Sequence, residues 1–471
     1  MKAIIPVLDE NSKKPYYLQL YEYIKNLIVS GEVAYGEKLP SLRNLAKSLK
    51  LSVTTIDLAY SQLLVEGYIY SKPSSGFFVS DIAISNKVSE NTKNSSGFDV
   101  NVNFAQTSET DPLLPMQYDL SCFDFNKWKK CSNKILTDYP HLLLSKSDPQ
   151  GESTLRHEIA KYLYLARGVT CSPSQIVVGA GTQQITSQLT LLLSKMSINH
   201  VTVEDPCYLP VKNIFRDRGF ALNSVPISKS GIDIKRLPSG IKSAVYVCPS
   251  NQFPTGAVMP IGKRYELLEW ADRNGSMIIE DDYDSELRYF GKPIPALKGL
   301  DTNKSVVYLS SFSSTLFPSI KISYMVLPER LSKIFDTLKN DYTQTCSKAE
   351  QLTLALFMEH GYYQTNIRKL RSLYSQKLQT VLNFINTHAR ELITPINTFS
   401  GIHMTLKVNI NKNPDVLCKE ASEIGVSVVP VSIYTDETKD DAKPLIFYYN
   451  QIPLELMDET LTALVFKWLK V

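Results

Sequence analysis

A glycine-rich turn near the middle of the chain has the residue types that bind a phosphate. The sequence GAGTQQ at residues 179–184 follows a short apolar run, and Ile185, Leu189 and Leu192 then repeat with a helical spacing. Backbone N–H groups and a hydroxyl group at the start of a helix bind anions well. The same sequence also suits a tight strand-to-helix connection that binds nothing, so the turn alone leaves both interpretations open.

A cluster of carboxylates ends a second apolar run. The sequence IIEDDYD at residues 278–284 places several acids after a predicted buried strand. In doubly wound sheets, ligands bind at the ends of such strands. A buried aspartate there could pair with a protonated ring nitrogen, whereas a solvated acidic loop would have no ligand.

Hydroxyl side chains in the first 80 residues mark two helix starts. Ser41 and Ser52 each precede an apolar pattern and are predicted N-caps, and Thr54 and Thr55 fall in the first turn of the second helix. Hydroxyl and backbone N–H groups at a helix start suit a DNA phosphate. Ordinary helix capping is the alternative explanation.

Three regions position these residues. Residues 1–80 contain three short amphipathic stripes and a hairpin-like end, and residues 81–112 are polar and predict a linker. From residue 113 to 471, apolar β-branched runs alternate with helical patterns, which predicts a mostly parallel α/β domain. The part after about residue 350 mixes a long helix with short strands and predicts a smaller α+β lobe.

Length and composition restrict the class of protein. The 471 residues are enough for two or more domains, and 43% hydrophobic against 21% charged residues excludes disorder as the dominant state. The net charge of +4 is too small to indicate nucleic acid or membrane binding by itself. The seven cysteines are scattered without a CxxC spacing, and no run approaches the roughly 18 apolar residues of a membrane span. We therefore expect a cytoplasmic protein without disulfides, a metal site or membrane contact.

The N-terminal sequence is similar to a known DNA-binding module. The stretch KLPSLRNLAKSLKLSVTTIDLAYSQLLVEGYIYSKPSSGFFV, residues 38–79, resembles the winged helix-turn-helix of GntR-type regulators. The resemblance implies that this module binds double-stranded DNA, with the helix that begins near Ser52 in the major groove and residues 72–76 as the wing. The DNA-binding residues that it implies are Ser41, Arg43, Ser52, Thr54, Thr55, Lys72, Ser75 and Gly76.

Two features of this module affect DNA binding. Val53 stands where the family usually has an arginine, and a bidentate arginine contributes about 1–3 kcal/mol of base discrimination. Residues 1–80 carry nine Lys and Arg against seven acids. Because this charge predicts weak binding to one half-site, we expect a homodimer.

The remainder of the chain resembles a second domain of the same regulators. The segments DPQGESTLRHEIAKYLYLARGV, VVGAGTQQ, EDPCY, CPSNQFPTGAVMP, IEDDYDSELRY and SSFSSTLFPSIKISYMVLP are similar to the aminotransferase-like domain of MocR/GabR-type regulators. That domain has fold type I of the pyridoxal-phosphate enzymes. The resemblance therefore implies a GntR-type module, a linker (81–112) and an aminotransferase-like effector and dimerisation domain (113–471).

The resemblance also implies pyridoxal 5'-phosphate as the cofactor and assigns residues to it. The matching positions are Gly181, Thr182, Gln183, Tyr208, Asn251, Asp281, Tyr283, Ser311, Ser313, Ser314 and Lys321. The first three would bind the phosphate, Tyr208 would stack on the pyridine ring, and Asp281 would face the ring nitrogen. Tyr283 would face the ring hydroxyl, and Ser311 and Ser313 would supply further hydroxyl groups.

Several positions depart from the family pattern. Ser314 replaces the lysine that forms a Schiff base with the cofactor, and a serine has no amine for that bond. Lys321 replaces the phosphate-binding arginine, and Ile446 replaces the arginine that holds a ligand carboxylate. Pro210 and Asn251 replace a further arginine and a histidine. We expect no covalently bound cofactor and no catalysis. Noncovalent binding of the cofactor is not excluded by these replacements.

Three functions are compatible with this sequence. The leading prediction is a dimeric transcriptional regulator whose catalytically inactive aminotransferase-like domain senses a small-molecule effector. The alternatives are a pyridoxal-phosphate-dependent aminotransferase with an appended DNA-binding domain, and a ligand-independent DNA-binding dimer scaffold. The rings of Tyr208, Phe253, Tyr283 and Phe312 are expected near the site and would permit a flat ligand.

Overall fold

The computed structural model divides the chain into two units, Met1–Phe104 and Ala105–Val471. The residues that the structure describes are 14–72, 75–81, 119–289, 294–396, 398, 400–436 and 444–469. The predicted linker, residues 81–112, lies outside these ranges apart from Asp81, so the predicted domain boundaries stay predictions.

The described residues of the first unit form three helices and a hairpin. They are α1 (Tyr16–Val29), α2 (Leu42–Leu49), α3 (Val53–Val65), β1 (Ile69–Lys72) and β2 (Gly76–Val79). The strands pair antiparallel, with Ile69 opposite Val79 and Lys72 opposite Gly76. The three predicted apolar stripes pack together in one core, as the amphipathic spacing requires.

Eight strands form the main sheet of the second unit. They are β3 (Ile176–Gly179), β4 (His200–Asp205), β5 (Ala221–Ser228), β6 (Gly231–Ile232), β7 (Ala244–Val247), β8 (Met277–Asp281), β9 (Val306–Ser311) and β10 (Ser323–Val326). Their order is β3-β10-β9-β8-β7-β4-β5-β6. The five neighbours from β9 to β5 are parallel, whereas β10 is antiparallel to β3 and β9, and β6 to β5. The mostly parallel sheet is confirmed.

Helices pack on both faces of this sheet. Along β3, Ile176 and Val178 belong to one hydrophobic core and Val177 to another, because alternate residues of a strand point to opposite faces. The helices of the second unit are α4 (Phe125–Asp138), α5 (Pro140–Leu143), α6 (Ser153–Arg167), α7 (Gly181–Lys195), α8 (Leu209–Asp217), α9 (Ile261–Asn274), α10 (Leu297–Leu300), α11 (Glu329–Leu338), α12 (Lys348–Glu359), α13 (Tyr362–His388), α14 (Pro414–Ser422) and α15 (Met457–Leu469).

A smaller α+β lobe completes the second unit, as predicted. Its antiparallel sheet has the order β11-β12-β14-β13. The strands are β11 (Ile393–Ile396), β12 (Met404–Val408), β13 (Val428–Pro430) and β14 (Leu445–Phe447). Residues of α13, α14 and α15 share one core with this sheet.

The parallel strands bring chemically important residues to one edge. Strand β8 ends at Asp281 and its neighbour β9 ends at Ser311, so both residues lie at the carboxyl end of the sheet. Among the described residues, no group of three or more His, Cys, Asp or Glu side chains is placed to hold a metal ion. No helix within the described ranges is long and apolar enough to cross a membrane.

Candidate functional sites

Serine caps begin both helices of the predicted DNA-binding pair. Ser41 Oγ accepts a hydrogen bond from Asn44 N at 3.3 Å, and Ser52 Oγ accepts one from Thr55 N at 3.0 Å. The hydroxyls of Ser52 and Thr55 also lie 2.7 Å apart. Capping therefore occupies Ser52 and Thr55, whereas Thr54 is exposed on the first turn of α3.

The remaining predicted DNA-binding residues lie on α2 and on the hairpin. Arg43 is exposed in the first turn of α2. Lys72 ends β1, and its Nζ lies 5.0 Å from the centre of the Phe78 ring. Ser75 N donates to Lys72 O at 3.0 Å, and Gly76 has a φ of 113° that permits the tight turn. Residues 73 and 74 of the predicted wing lie outside the described residues.

The predicted phosphate site is the N-terminus of α7. Gly181 has a φ of 85°, and a Cβ atom built on it would lie 4.0 Å from Cδ of Lys321. The structure therefore brings the stem of Lys321 against the helix start that also holds Thr182 and Gln183. An N-terminus with a neighbouring ammonium group suits a phosphate.

The serine that ends β9 and the two serines that follow the strand have different surroundings. Ser311 Oγ accepts a hydrogen bond from Ser313 N at 3.3 Å. Ser314 Oγ donates to the backbone carbonyl of Tyr283 at 2.6 Å. The hydroxyl group at the position of the family's lysine is therefore bonded to the loop that follows β8.

Asp281 is buried at the end of β8. Its carboxylate accepts a hydrogen bond from the hydroxyl group of Tyr246 on neighbouring β7. Burial raises the pKa of Asp281 to about 7, although the Tyr246 bond opposes this shift. A cationic ring nitrogen at this place would favour the ionised carboxylate.

Asn251 connects Tyr283 to a second buried acid. Its Nδ2 group donates to the Tyr283 hydroxyl at 3.2 Å and to Asp284 at 2.7 Å. Its Oδ1 atom accepts from Ser400 at 3.2 Å. Burial raises the pKa of Asp284 well above its ordinary value. The structure thus brings the predicted residues Asn251 and Tyr283 into direct contact.

An aromatic group surrounds Phe253. Its ring centre lies 5.6 Å from that of Tyr208, 6.2 Å from that of Tyr283 and 5.0 Å from that of Tyr434. Phe312, the fourth ring that the sequence places near the site, has different ring neighbours. Phe312 packs against Tyr324 and Tyr363 in a core formed on one face of the main sheet, because residues that follow one another at a strand end alternate in direction.

Three further residues of the site come from positions that no sequence pattern singled out. Tyr434 and His403 pack against Phe253, and Tyr246 bonds to Asp281. His403 Nε2 lies 3.2 Å from the carbonyl of Pro254, and burial lowers the pKa of this histidine to about 4. The imidazole ring is therefore neutral at pH 7.

Residues 434–436 join the small lobe to the main sheet. Cys207 N donates to Tyr434 O at 2.9 Å, and Asp436 N donates to Asp205 Oδ1 at 3.1 Å. The Asp436 carboxylate accepts bonds from buried Lys212 and from Ser224, the latter at 2.7 Å. These contacts hold the Tyr434 ring against Phe253, and we name residues 434–436 the covering segment.

Ile446 lies where the family has a carboxylate-binding arginine. It is fully buried on β14, where it pairs with Thr405 of β12 and Val429 of β13. The arrangement can thus hold an anion beside Lys321 and a ring beside Tyr208 and Asp281, but it offers no amine at Ser314 and no cation at Ile446.

Comparison with known families gives two matches in the same order. The family described as bacterial regulatory proteins, gntR family, matches residues 16–79. The family described as aminotransferase class I and II matches residues 123–401.

Curated relatives cover nearly the whole chain. YdeL of Bacillus subtilis, an uncharacterized HTH-type transcriptional regulator, is 38% identical over 91% of this chain and 92% of its own. The pyridoxine biosynthesis transcriptional regulator PdxR of Corynebacterium glutamicum is 30% identical over 94% of each chain. The probable rhizopine catabolism regulatory protein MocR of Rhizobium meliloti is 28% identical over 90% of this chain and 88% of its own.

A solved structure matches the fold of the larger unit. Kynurenine aminotransferase of Pyrococcus horikoshii superposes with a TM-score of 0.66 and 22% identity over 78% of this chain and 94% of that protein. At this identity the likeness shows the fold alone.

Proposed function

The chain belongs to the MocR-type regulators of the gntR family, which join a helix-turn-helix domain to an aminotransferase-like domain, and from this premise we propose that its large domain senses an effector without catalysing a reaction. The observation that carries this proposal is Ser314, whose hydroxyl is bonded to Tyr283 O at the place of the family's reactive amine. A domain without that amine can still bind a ligand and change its dimer geometry.

The N-terminal unit is proposed to read DNA with its second and third helices and its hairpin. A GntR helix-turn-helix implies DNA binding. The exposed side chains of Arg43 and Thr54 and the turn at Lys72 support this arrangement. Because a bacterial chromosome lies in the cytoplasm, we also place the regulator there.

An active aminotransferase is the second candidate, but the site does not favour it. Pyridoxal phosphate, when bound to such an enzyme, supplies an aldehyde for a lysine and an electron sink for the substrate. Ser314 provides neither the amine nor a base that could move the substrate proton. Lys321 is directed toward Gly181, at the proposed phosphate end of the site.

The residues present fit noncovalent binding of the cofactor. The α7 N-terminus and Lys321 would hold the phosphate, Tyr208 would stack on the ring, and Asp281 would pair with the ring nitrogen. Ile446 gives a bound carboxylate no positive charge. We therefore propose an effector that is held by its phosphate or its ring.

A homodimer is part of the proposal. The small excess of cations in residues 1–80, nine against seven acids, supports two DNA-binding modules acting together. A scaffold that dimerises without any ligand is the third candidate.

One titration separates these functions. Purified protein is mixed with pyridoxal phosphate, and its absorption spectrum, its melting temperature and its mass after borohydride reduction are recorded. A higher melting temperature without a covalent adduct supports the proposed sensor, because a ligand that binds the native state stabilises it. A reducible lysine adduct supports the aminotransferase, and the absence of any change supports the scaffold.

Arg43 provides the test of DNA binding. We expect Arg43→Ala to lower affinity for a selected DNA duplex about tenfold, since a charged contact to base or phosphate contributes about 1–3 kcal/mol. Fluorescence anisotropy at fixed salt measures this change. Lys129→Ala, at an exposed position of α4, is the matched control. Unchanged affinity of the Arg43 variant, with an unchanged melting temperature, would contradict its role.

A further inference from the structure

The exposed face of α3 has an unusual composition for a DNA-reading helix. Its exposed side chains are those of Val53, Thr54, Asp57, Leu58, Ser61, Gln62 and Val65. None of the residues of α3 is Lys or Arg. Val53 is 47% exposed and Leu58 is 50% exposed. The first two turns of this face therefore carry two exposed apolar side chains and one acid, Asp57.

The fold does not need these two apolar side chains. The opposite face of α3 supplies the core of the unit with fully buried side chains, namely Ile56, Ala59, Tyr60 and Leu63. Single exposed apolar residues are common on protein surfaces. Here, however, they lie in the first two turns of the helix, and the N-terminal turns of a recognition helix are the ones that meet base edges.

The positive charges of the unit lie on elements other than α3. Exposed cations occur on α2, at its C-cap and on the hairpin side, namely Lys38, Arg43, Lys47, Lys50 and Lys72. Cations at these places can contact phosphates, which fix the position of a protein on DNA but carry no sequence information. The contacts to base edges would then be made by α3, which has no cations.

The chemistry of base edges decides what such a helix can read. Guanine presents two acceptors in the major groove and is read by Arg or Lys, which α3 lacks. Asp57 lies one turn after Val53, and its acceptor oxygens oppose those of guanine. Branched apolar side chains make favourable contact with the 5-methyl group of thymine.

We propose that Val53 and Leu58 determine specificity by contacting thymine methyl groups, so that thymines and not guanines define the half-site under α3. This inference rests on the proposed DNA binding. The family usually has an arginine at position 53. In this protein we assign the base contact of that position to the apolar side chain of Val53.

The test begins with the full-length protein and a library of duplexes with a randomised core. The enriched duplex is then made with deoxyuridine in place of each thymidine in turn, which removes only the methyl group. We expect affinity to fall roughly fourfold at each contacted position, because burial of one methyl group contributes about that factor. Anisotropy at fixed salt measures the affinities.

Three variants test which side chain contacts which thymine methyl group. Val53→Ala and Leu58→Ala should each lose the sensitivity to deoxyuridine at a different position, and Val53→Arg should shift the selected base toward guanine. Val65→Ala changes an 85% exposed side chain at the far end of the same helix and is the control. Since all these residues are exposed, melting temperatures should stay the same.

The outcomes distinguish the inference from the function on which it rests. Failure to enrich any duplex would overturn both DNA binding and thymine readout. Enrichment of a duplex whose affinity is insensitive to deoxyuridine at every position would overturn the readout alone. The same conclusion would follow if both alanine variants retained the full sensitivity of the wild type.

Discussion

The buried carboxyl group of Asp281 makes the stability of the protein depend on pH. Its pKa is raised by burial to about 7 from an ordinary value of 3.8. A carboxyl group with a raised folded-state pKa contributes stability that is fully present below the unfolded pKa and is lost as pH rises through the folded pKa. The unliganded protein should therefore lose this contribution between about pH 4 and pH 7.

Asp281→Asn tests this residue. We expect the free energy of unfolding of the wild type to fall relative to that of the variant as pH rises through this range, because only the wild type ionises at position 281. Denaturant unfolding at several pH values measures the difference. Asp272→Asn removes an exposed carboxylate of α9 as a control. A difference that stays constant with pH would count against a buried, raised pKa at Asp281.

Ser314 and Lys321 allow a gain-of-function prediction. Ser314→Lys with Lys321→Arg supplies the missing amine and a bidentate phosphate ligand. We expect this double variant to form a yellow complex with pyridoxal phosphate that borohydride reduces to a lysine adduct, whereas the wild type forms none. Ser314→Ala with Lys321→Arg lacks the amine and is the control. A colourless double variant would show that the site beside Asp281 does not accept the ring.

At the scale of elements, local signals were sufficient for helix starts and strand ends. Ser41 and Ser52 cap α2 and α3 because a cap depends on residues three positions away. The direction of Phe312 and the bond between Tyr246 and Asp281 depend on how distant strands pack, and no local pattern contains that information. The sequence could therefore locate the edge of the sheet that holds the candidate site, but not the side chains that close it.

Two glycines flank α6, and their substitution tests how closely the start of this helix packs against β3. Gly151 has a φ of 102°, and a Cβ atom on it would lie 2.6 Å from Cβ of Val178. Gly168 has a φ of 67° and nothing within 4 Å. We expect Gly168→Ala to destabilise by about 1 kcal/mol through backbone strain, and Gly151→Ala by about 2 kcal/mol more through overpacking. Equal losses in denaturant unfolding would contradict the close contact with β3.

At the scale of the whole molecule, we expect DNA recognition to depend on the number of subunits. The cations of one N-terminal unit barely outnumber its acids, so two units bound to adjacent half-sites should bind far more tightly than one. We expect sedimentation equilibrium at micromolar concentration to give twice the chain mass of 53.1 kDa. A monomer under these conditions would rule out the proposed dimer.

The covering segment is expected to affect how fast a ligand binds and leaves. Tyr434 packs on Phe253, and Asp436 is bonded to Lys212 and Ser224, so a ligand that took the place of the Tyr434 ring on Phe253 would have to displace residues 434–436. For the effector that we propose, we expect the opening of this segment to slow both association and dissociation. If this is so, the occupied state would outlast a fall in effector concentration by about the lifetime of the closed segment, and the proposed regulator would respond little to brief changes in that concentration.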